Sequence, residues 1–531
     1  MCSVLWRMMA RPRAWLAAMV AVVGVASTAQ AEVKLPNVFG DHMVLQQGQK
    51  NKIWGVADAD EDVTVSIHTQ NHKAKTGAHG QWHVMLDPLP VGGPYALTVK
   101  GKNEVKFEDV LVGEVWICSG QSNMQMSVNS SNDADIEKAA AKFPKIRMIN
   151  FPQVGTQEPI WTHDRKWMVT TPENVGGFSA VGYFFARQLH QTLDVPVGMI
   201  NNAWGGSACE AWIRRDILAA DETYKPLLER WAGTEANYPK AKEEYAKKLV
   251  DWKIAFEKAK AENKPLPPQP QGNPDGQMFG NSRPGNIYNG VLKSHLGYGI
   301  KGAIWYQGES NASRAYQYRT LFPLMIKSWR DEWGTWDNGN FPFYWVQLAD
   351  FQAEKPEPGD SAWAELREAQ TLTMKALPNT GEAVIIDIGE GKDIHPKNKV
   401  DVGRRLARWA LAEDYKVAGI PCRSPLYKSM EKQANKIVLT FDNVTNGWRP
   451  FDTNEPRGFA IAGEDKKFVW ASAKILPDGR VEVWSDAVKE PSSVRYAWAD
   501  NPVCNMYSGA GLPLTPFRTD DWPGVTIINK Q

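Results

Sequence analysis

From about residue 110 to 418 the chain repeats one pattern: a short strand that is apolar throughout, a polar loop, then a helix. "EVWIC" leads into the Ser/Gly/Gln/Asn loop at 119–123, and "KIRMINF" follows. The stretch "SAVGYFFARQLHQTL" has helical spacing, with Ser179 placed to cap it. "PVGMINNAW" ends in Gly205-Gly206-Ser207, and "GIKGAIWY" ends in Gln307-Gly308-Glu309-Ser310-Asn311 before the helix "YQYRTLFPLMIKSWRDEW". "FPFYWVQLA", the helix "WAELREAQTLTMKAL", "GEAVIIDIG" and the helix "KNKVDVGRRLARWALAEDY" complete the series. Strands without polar alternation are buried on both faces, so the pattern predicts an α/β fold, a parallel sheet covered by helices on both sides.

At 531 residues the chain exceeds one ordinary core, and its flanks read differently. Residues 32–109 carry short strands ("KIWGVA", "DVTVSIHT", "GQWHVML", "PYALTVKG") with Gly or Asp at the breaks, which predicts an N-terminal β-sandwich-like domain. Residues 419–531 return to strands ("KIVLTF", "GFAIAG", "KFVWASAKIL", "RVEVWS", "SVRYAWA"), a C-terminal β-rich domain. The α/β domain, 110–418, is interrupted at about 222–275. There the charge-rich "EEYAKKLVDWKIAFEKAKAE" reads as an inserted helix or helical hairpin, followed by the Pro/Gly-rich linker "NKPLPPQPQGNPDGQ".

Residues 1–31 read as a secretory signal peptide: Arg7, Arg11 and Arg13, an apolar run over 15–26, then the small-x-small site Ala29-Gln30-Ala31. Cleavage after Ala31 predicts a secreted or periplasmic protein with no membrane partner thereafter. It also removes three of the 61 basic residues and none of the 60 acidic ones, leaving 58 against 60, or −2. That balance argues against nucleic acid as a partner. Cys118, Cys209, Cys422 and Cys504 are too few for a disulfide scaffold, and whether Cys422 pairs with Cys504 stays open. No CxxC or HExxH spacing suggests a metal. The 23 tryptophans lean toward sugar ligands, since indole stacks well on sugar rings.

Sites in open α/β sheets form beyond the carboxyl ends of the strands. Those ends carry Ser122, the Gly205-Gly206 pair, Gln307 with Glu309, and the run from Asp387 to His395. Acyl transfer needs such parts: a nucleophile, a base to take its proton and donors for an oxyanion. Ser122 is the candidate nucleophile, against the plainer role of a helix N-cap. Among the histidines of this domain, His163 lies in "WTHDRKW", His190 inside a helix and His295 before a strand. Only His395 follows a strand end with an acid beside it. Cys118 reads as a buried strand residue.

"GEVWICSGQSNMQ", "WGGSACEAWI", "YNGVLKSHLGYGIKGAIWYQGESNA" and "DIHPKNKVDVGRRLARWAL" resemble the blocks of sialate O-acetylesterases within the SGNH hydrolase superfamily. "LPNVFGDHMVLQQ" and "GLPLTPFRTDDWP" are similar to the family's flanks, so the resemblance covers about 35–522. It implies an SGNH-hydrolase-like sheet and a cofactor-independent serine esterase that removes O-acetyl groups from sugars through an acetyl-enzyme. Ser122 would be the nucleophile and His395 the base. The oxyanion would be held by the N–H groups of Ser122 and of Gly205 or Gly206. Ser310 stands where the superfamily block usually has Asn, so Gln307 is the expected third donor. The superfamily's D-x-x-H is here Asp393-Ile394-His395; Asp393 would orient the imidazole, with Asp387 or a backbone carbonyl as alternatives.

Around the substrate the same resemblance suggests Gln121, Asn202, Glu309, Asn311, Arg214 and Arg367, with Glu309 favoured as structural. Arg214, Arg283 and Arg367 are the arginines for a sialate carboxylate. The expected partner is an O-acetylated glycan; oligomeric state is not legible. Acetylxylan or another plant polysaccharide is the rival substrate, and an inactive glycan-binding protein is the rival class.

Overall fold

The computed structural model describes residues 32–336 and 338–531, so the expected signal peptide at 1–31 lies outside the described residues. Strands β1 (Val44–Gln46), β2 (Asn51–Val56), β3 (Asp62–Ile67), β4 (Gln70–Lys75), β5 (Gln81–Leu86) and β6 (Gly92–Lys100) form the N-terminal part. β2 and β5 pair antiparallel as a small separate sheet. Their alternating burial reflects one covered and one open face. The remaining N-terminal strands follow another course. β3 pairs with β4 and β6, and β6 pairs with β7 (Glu104–Gly120), a strand of 17 residues.

The chemistry of β7 changes along its length. "EVKFED" alternates between exposed and half-buried positions, whereas Val110 onward is buried at every residue. One strand thus carries the chain out of the N-terminal sheet into the middle of the central one. The boundary at 109–110 read from sequence falls inside it.

The central strands are β7, β8 (Phe143–Asn150), β9 (Trp167–Thr170), β10 (Val197–Asn201), β11 (Gly302–Tyr306), β12 (Phe343–Val346) and β13 (Thr380–Ala383). Their order is β13-β12-β11-β7-β10-β8-β9 within an 11-stranded mixed sheet. Every pair from β13 to β8 is parallel, and β9 runs antiparallel to β8. β7 lies between β10 and β11, so the loops after these three strands converge at one end of the sheet. "GEAVIIDIG" is a strand only over Thr380–Ala383, because its neighbour β12 ends at Val346, the partner of Ala383. Val384 and Ile386 turn instead into the C-terminal core.

Helices Ala180–Leu193, Ala315–Gly334, Ala362–Ala376 and Lys399–Trp409 pack on the sheet. Ser179 Oγ caps the first of them by accepting the Gly182 N–H at 3.1 Å. The insertion is a single helix, Lys225–Ala261, of which only Leu227 and Trp231 are buried. The Pro-rich return is tied back to it rather than left as a free linker: Trp252 Nε1 donates to Pro267 O, Tyr245 OH to Pro270 O and Tyr238 OH to Asp275. After the helix Lys399–Trp409 the chain forms two four-stranded sheets around Ile437, Leu439, Phe459, Ile461 and Val494. No helix among the described residues is long and apolar enough to cross a membrane. All four described cysteines are free, so Cys422 and Cys504 do not pair.

Candidate active site

β7 ends at Gly120, whose φ of +129° turns the chain sharply out of the sheet. The Gln121 N–H then donates to Tyr306 O of β11 at 2.9 Å, and Gly120 O accepts from Trp204 N after β10 at 3.0 Å. A short helix, Ser122–Gln125, starts here. The buried Gln121 side chain faces the third loop, its Oε1 accepting the N–H groups of Gly308 (3.3 Å) and Ser310 (3.4 Å). These bonds fasten three loops that would otherwise expose unpaired backbone.

Ser122 Oγ lies 2.8 Å from His395 Nε2. Asp393 stands beside the imidazole: its Oδ1 accepts the His395 backbone N–H at 2.9 Å and is 3.6 Å from the ring Nδ1. That backbone N–H, with Lys397 next in effect, holds the Asp393 carboxyl below the usual carboxylate range. Asp387, the alternative acid, has both oxygens on Arg405 at 2.6 Å and does not reach the ring. The remaining histidines of this domain are otherwise engaged. His163 bonds Gly290 O, His190 bonds Val195 O, and His295 is buried, which pushes its pKa down to about 3.

Gly205 abuts the serine; a Cβ there would stand 3.3 Å from Ser122 Cβ. Its N–H donates to Gln125 Oε1 at 2.6 Å, so the side-chain carbonyl of Gln125 takes up this donor. Gly206 takes φ +73°, and Asn281 Nδ2 fixes the turn by donating to Gly205 O at 2.5 Å. The expectation for Gln307 needs correction. Its amide donates to Ser207 O (3.0 Å) and Asn311 Oδ1 (2.7 Å), and its Oε1 accepts from Tyr318 OH (2.8 Å). Both amide protons are used, so the side chain braces the loops and offers no third donor.

A cleft of about 790 Å³ opens over the Ser–His pair, lined among others by Gln125, Asn150, Asn201 and Arg165. The residues expected around a substrate lie elsewhere. Gln121, Asn202 and Asn311 are buried, with Asn202 Nδ2 against His295 and Asn311 bonded to Cys209 N and Glu210. Arg367 is fully buried and donates to the carbonyls of Leu348, Ala349, Ala499 and Asp500. Arg214 pairs with Asp216 and Glu332, and Arg283 with Glu235. The arginine on the cleft is Arg165, in the same "WTHDRKW" loop from which sequence reasoning took only His163.

Beneath the pair lies a polar group of Asn123, Glu309 and Lys399, of which sequence reasoning missed the lysine. Asn123 Nδ2 donates to Glu309 Oε1 (2.7 Å) and to Ile394 O (3.0 Å), while its Oδ1 accepts from Lys399 Nζ (2.6 Å). Burial raises the pKa of Glu309 and lowers that of Lys399 to about 7. Asn123 therefore bridges two buried ionisable groups and ties the His395 loop to the Ser122 helix.

The family model of carbohydrate esterases, sialic acid-specific acetylesterases, matches residues 112–242 and 281–412. Sialate O-acetylesterase of Mus musculus is 27% identical over 542 residues, covering 93% of this chain and 96% of its own. The Homo sapiens enzyme of that name is 27% identical over 537 residues, covering 92% and 94%. A crystal structure of a carbohydrate acetylesterase from Xanthomonas citri is 36% identical with a TM-score of 0.76, covering 92% of this chain and all of its own. Ser122 and His395 both fall within the matched segments. The chain is an esterase, and it belongs to the carbohydrate esterase family of sialic acid-specific acetylesterases.

Proposed function

We propose that this chain hydrolyses O-acetyl esters on sugar hydroxyls by a Ser122–His395 mechanism. The 2.8 Å contact between Ser122 Oγ and His395 Nε2 carries the reading. His395 takes the hydroxyl proton while Oγ attacks the acetyl carbonyl. The oxyanion displaces Gln125 Oε1 and accepts from Gly205 N–H and from Ser122 N–H, the latter without an intrahelical acceptor at the first helical position. The sugar oxygen leaves with the proton from His395. A water, deprotonated by the same imidazole, attacks the acetyl-Ser122 carbonyl and frees acetate. Asp393 orients the His395 loop through the backbone bond and supports the imidazolium charge from 3.6 Å.

Arg165 on the cleft favours a sugar with a carboxylate, as in the relatives named for sialate, over a neutral xylan. The residues of 1–31 support export of the enzyme. The test is acetate release from O-acetylated sialic acid and from acetylated xylan side by side, with Ser122→Ala as the blank. Release from the sialic acid, lost in Ser122→Ala and reduced in Arg165→Ala, is the expected result. Release from xylan alone keeps the mechanism and changes the substrate; release from neither contradicts the reading.

A further inference from the structure

A second cavity, of about 780 Å³, opens where the small β2–β5 sheet meets the central domain. It shares no lining residue with the cleft over Ser122. The helix Ala315–Gly334 begins just after the loop that follows β11, at the Ser122 end of the sheet, and runs back for roughly 30 Å. Its last turn and the residues after it, Glu332, Thr335 and Trp336, line this cavity.

The lining is aromatic and cationic. Trp54, Trp82, Trp161 and Trp336 contribute rings, and Lys52 and Lys293 contribute ammonium groups. Lys52 Nζ is held 3.2 Å from the Trp336 ring centroid and 5.0 Å from that of Trp54. Neither lysine forms an ion pair among the described residues, and the lining acid, Glu332, already pairs with Arg214 and accepts from Tyr288 OH. Burial and the neighbouring Lys293 push the Lys52 pKa down to about 8. His79 and His83, also on the lining, add no negative charge. Trp161, also on the lining, is 38% exposed. Trp82 is buried yet its Nε1 has no acceptor, and Gly55 leaves room for its ring, since a Cβ there would come within 2.8 Å of it.

Uncompensated positive charge beside open indole surface suits a ligand with one carboxylate and one weakly polar ring face. We propose that this cleft is a second glycan site that takes an acidic sugar, its carboxylate against Lys52 and Lys293 and its ring against Trp161. Such a site holds a glycan chain on the enzyme while its acetylated residues are processed elsewhere, raising their local concentration at the serine. The proposal stands apart from the esterase mechanism, because binding here needs no acetyl group.

The experiment titrates the full chain with sialyllactose and with lactose, neither of them acetylated, following tryptophan fluorescence and ligand-observed NMR. Sialyllactose is expected to bind saturably, with lactose roughly tenfold weaker or more. Trp161→Ala and Lys293→Gln, both at exposed positions, should each weaken sialyllactose by roughly tenfold while p-nitrophenyl acetate turnover stays at the wild-type rate. Arg165→Ala should leave this binding unchanged. Equal affinity for the two sugars, binding that survives both cavity substitutions, binding lost only in Arg165→Ala, or no binding at all would overturn the proposal.

Discussion

Gly120 has no room for a side chain: with φ at +129°, a methyl group would sit 2.2 Å from Tyr306 O. That oxygen cannot retreat, because it accepts the Gln121 N–H that sets up the Ser122 helix. Gly120→Ala is therefore expected to cost roughly 2–4 kcal/mol, read as a lower urea midpoint. Gln125 makes the opposite case, a residue whose loss should help. In the proposed mechanism its Oε1, which accepts the Gly205 N–H, competes for that donor with the acyl oxygen. Gln125→Ala should raise kcat/KM for p-nitrophenyl acetate by roughly three- to tenfold. A drop of that size would show instead that the amide assists the reaction.

His395 rides on a loop, so its position depends on what fastens that loop. Asp393 holds its backbone N–H, Asn123 holds Ile394 O, and Lys399 at the start of the helix Lys399–Trp409 holds Asn123. Lys399→Met should lower kcat by roughly 10–100-fold with KM nearly unchanged, since the lysine touches no part of the cleft and acts through positioning. Equal loss in kcat and gain in KM would contradict that role. Much at this scale was legible in the sequence. The strand ends pointed to Ser122, Gly205 and His395, which lie side by side at one end of the sheet. The assignments of Gln121, Asn202, Asn311 and Arg367 to substrate, and of Gln307 to the oxyanion, were not supported, for one physical reason. Loops packed this tightly bury backbone groups, and these side chains are what satisfy them. The choice of Asp393 over Asp387 turned on Arg405, a partner no spacing rule reveals.

For the molecule as a whole, the alternation of strands and helices disclosed the parallel core, but not that β7 would run through both sheets. "KFEDVLVGEVW" carries no turn signal, and the strand runs on through a bulge at Asp109, which takes φ +53° where the pairing with β6 shifts register. The central sheet also stores a pH-dependent weakness. Glu382 on β13 is buried, accepting from Trp345 Nε1 and Thr371 Oγ1, and burial raises its pKa from 4.5 to about 7. The native state then holds a proton that the unfolded chain has released, so this residue's contribution to stability falls as pH rises from about 4.5 to about 7. Glu382→Gln should flatten that slope and raise thermal stability at pH 8, by on the order of 2–3 kcal/mol, with little change at pH 4. A variant no more stable at pH 8 would contradict it.

The central claim is that Ser122 is the nucleophile and His395 its base. A fluorophosphonate transfers its phosphonyl group to such a serine oxygen with loss of fluoride, and the adduct is read by mass spectrometry of the digested protein. The account predicts one adduct per chain, on Ser122, forming in step with loss of p-nitrophenyl acetate turnover and slowed at least ~100-fold in His395→Ala. An adduct on a different residue, or turnover that survives full labelling of Ser122, would contradict it.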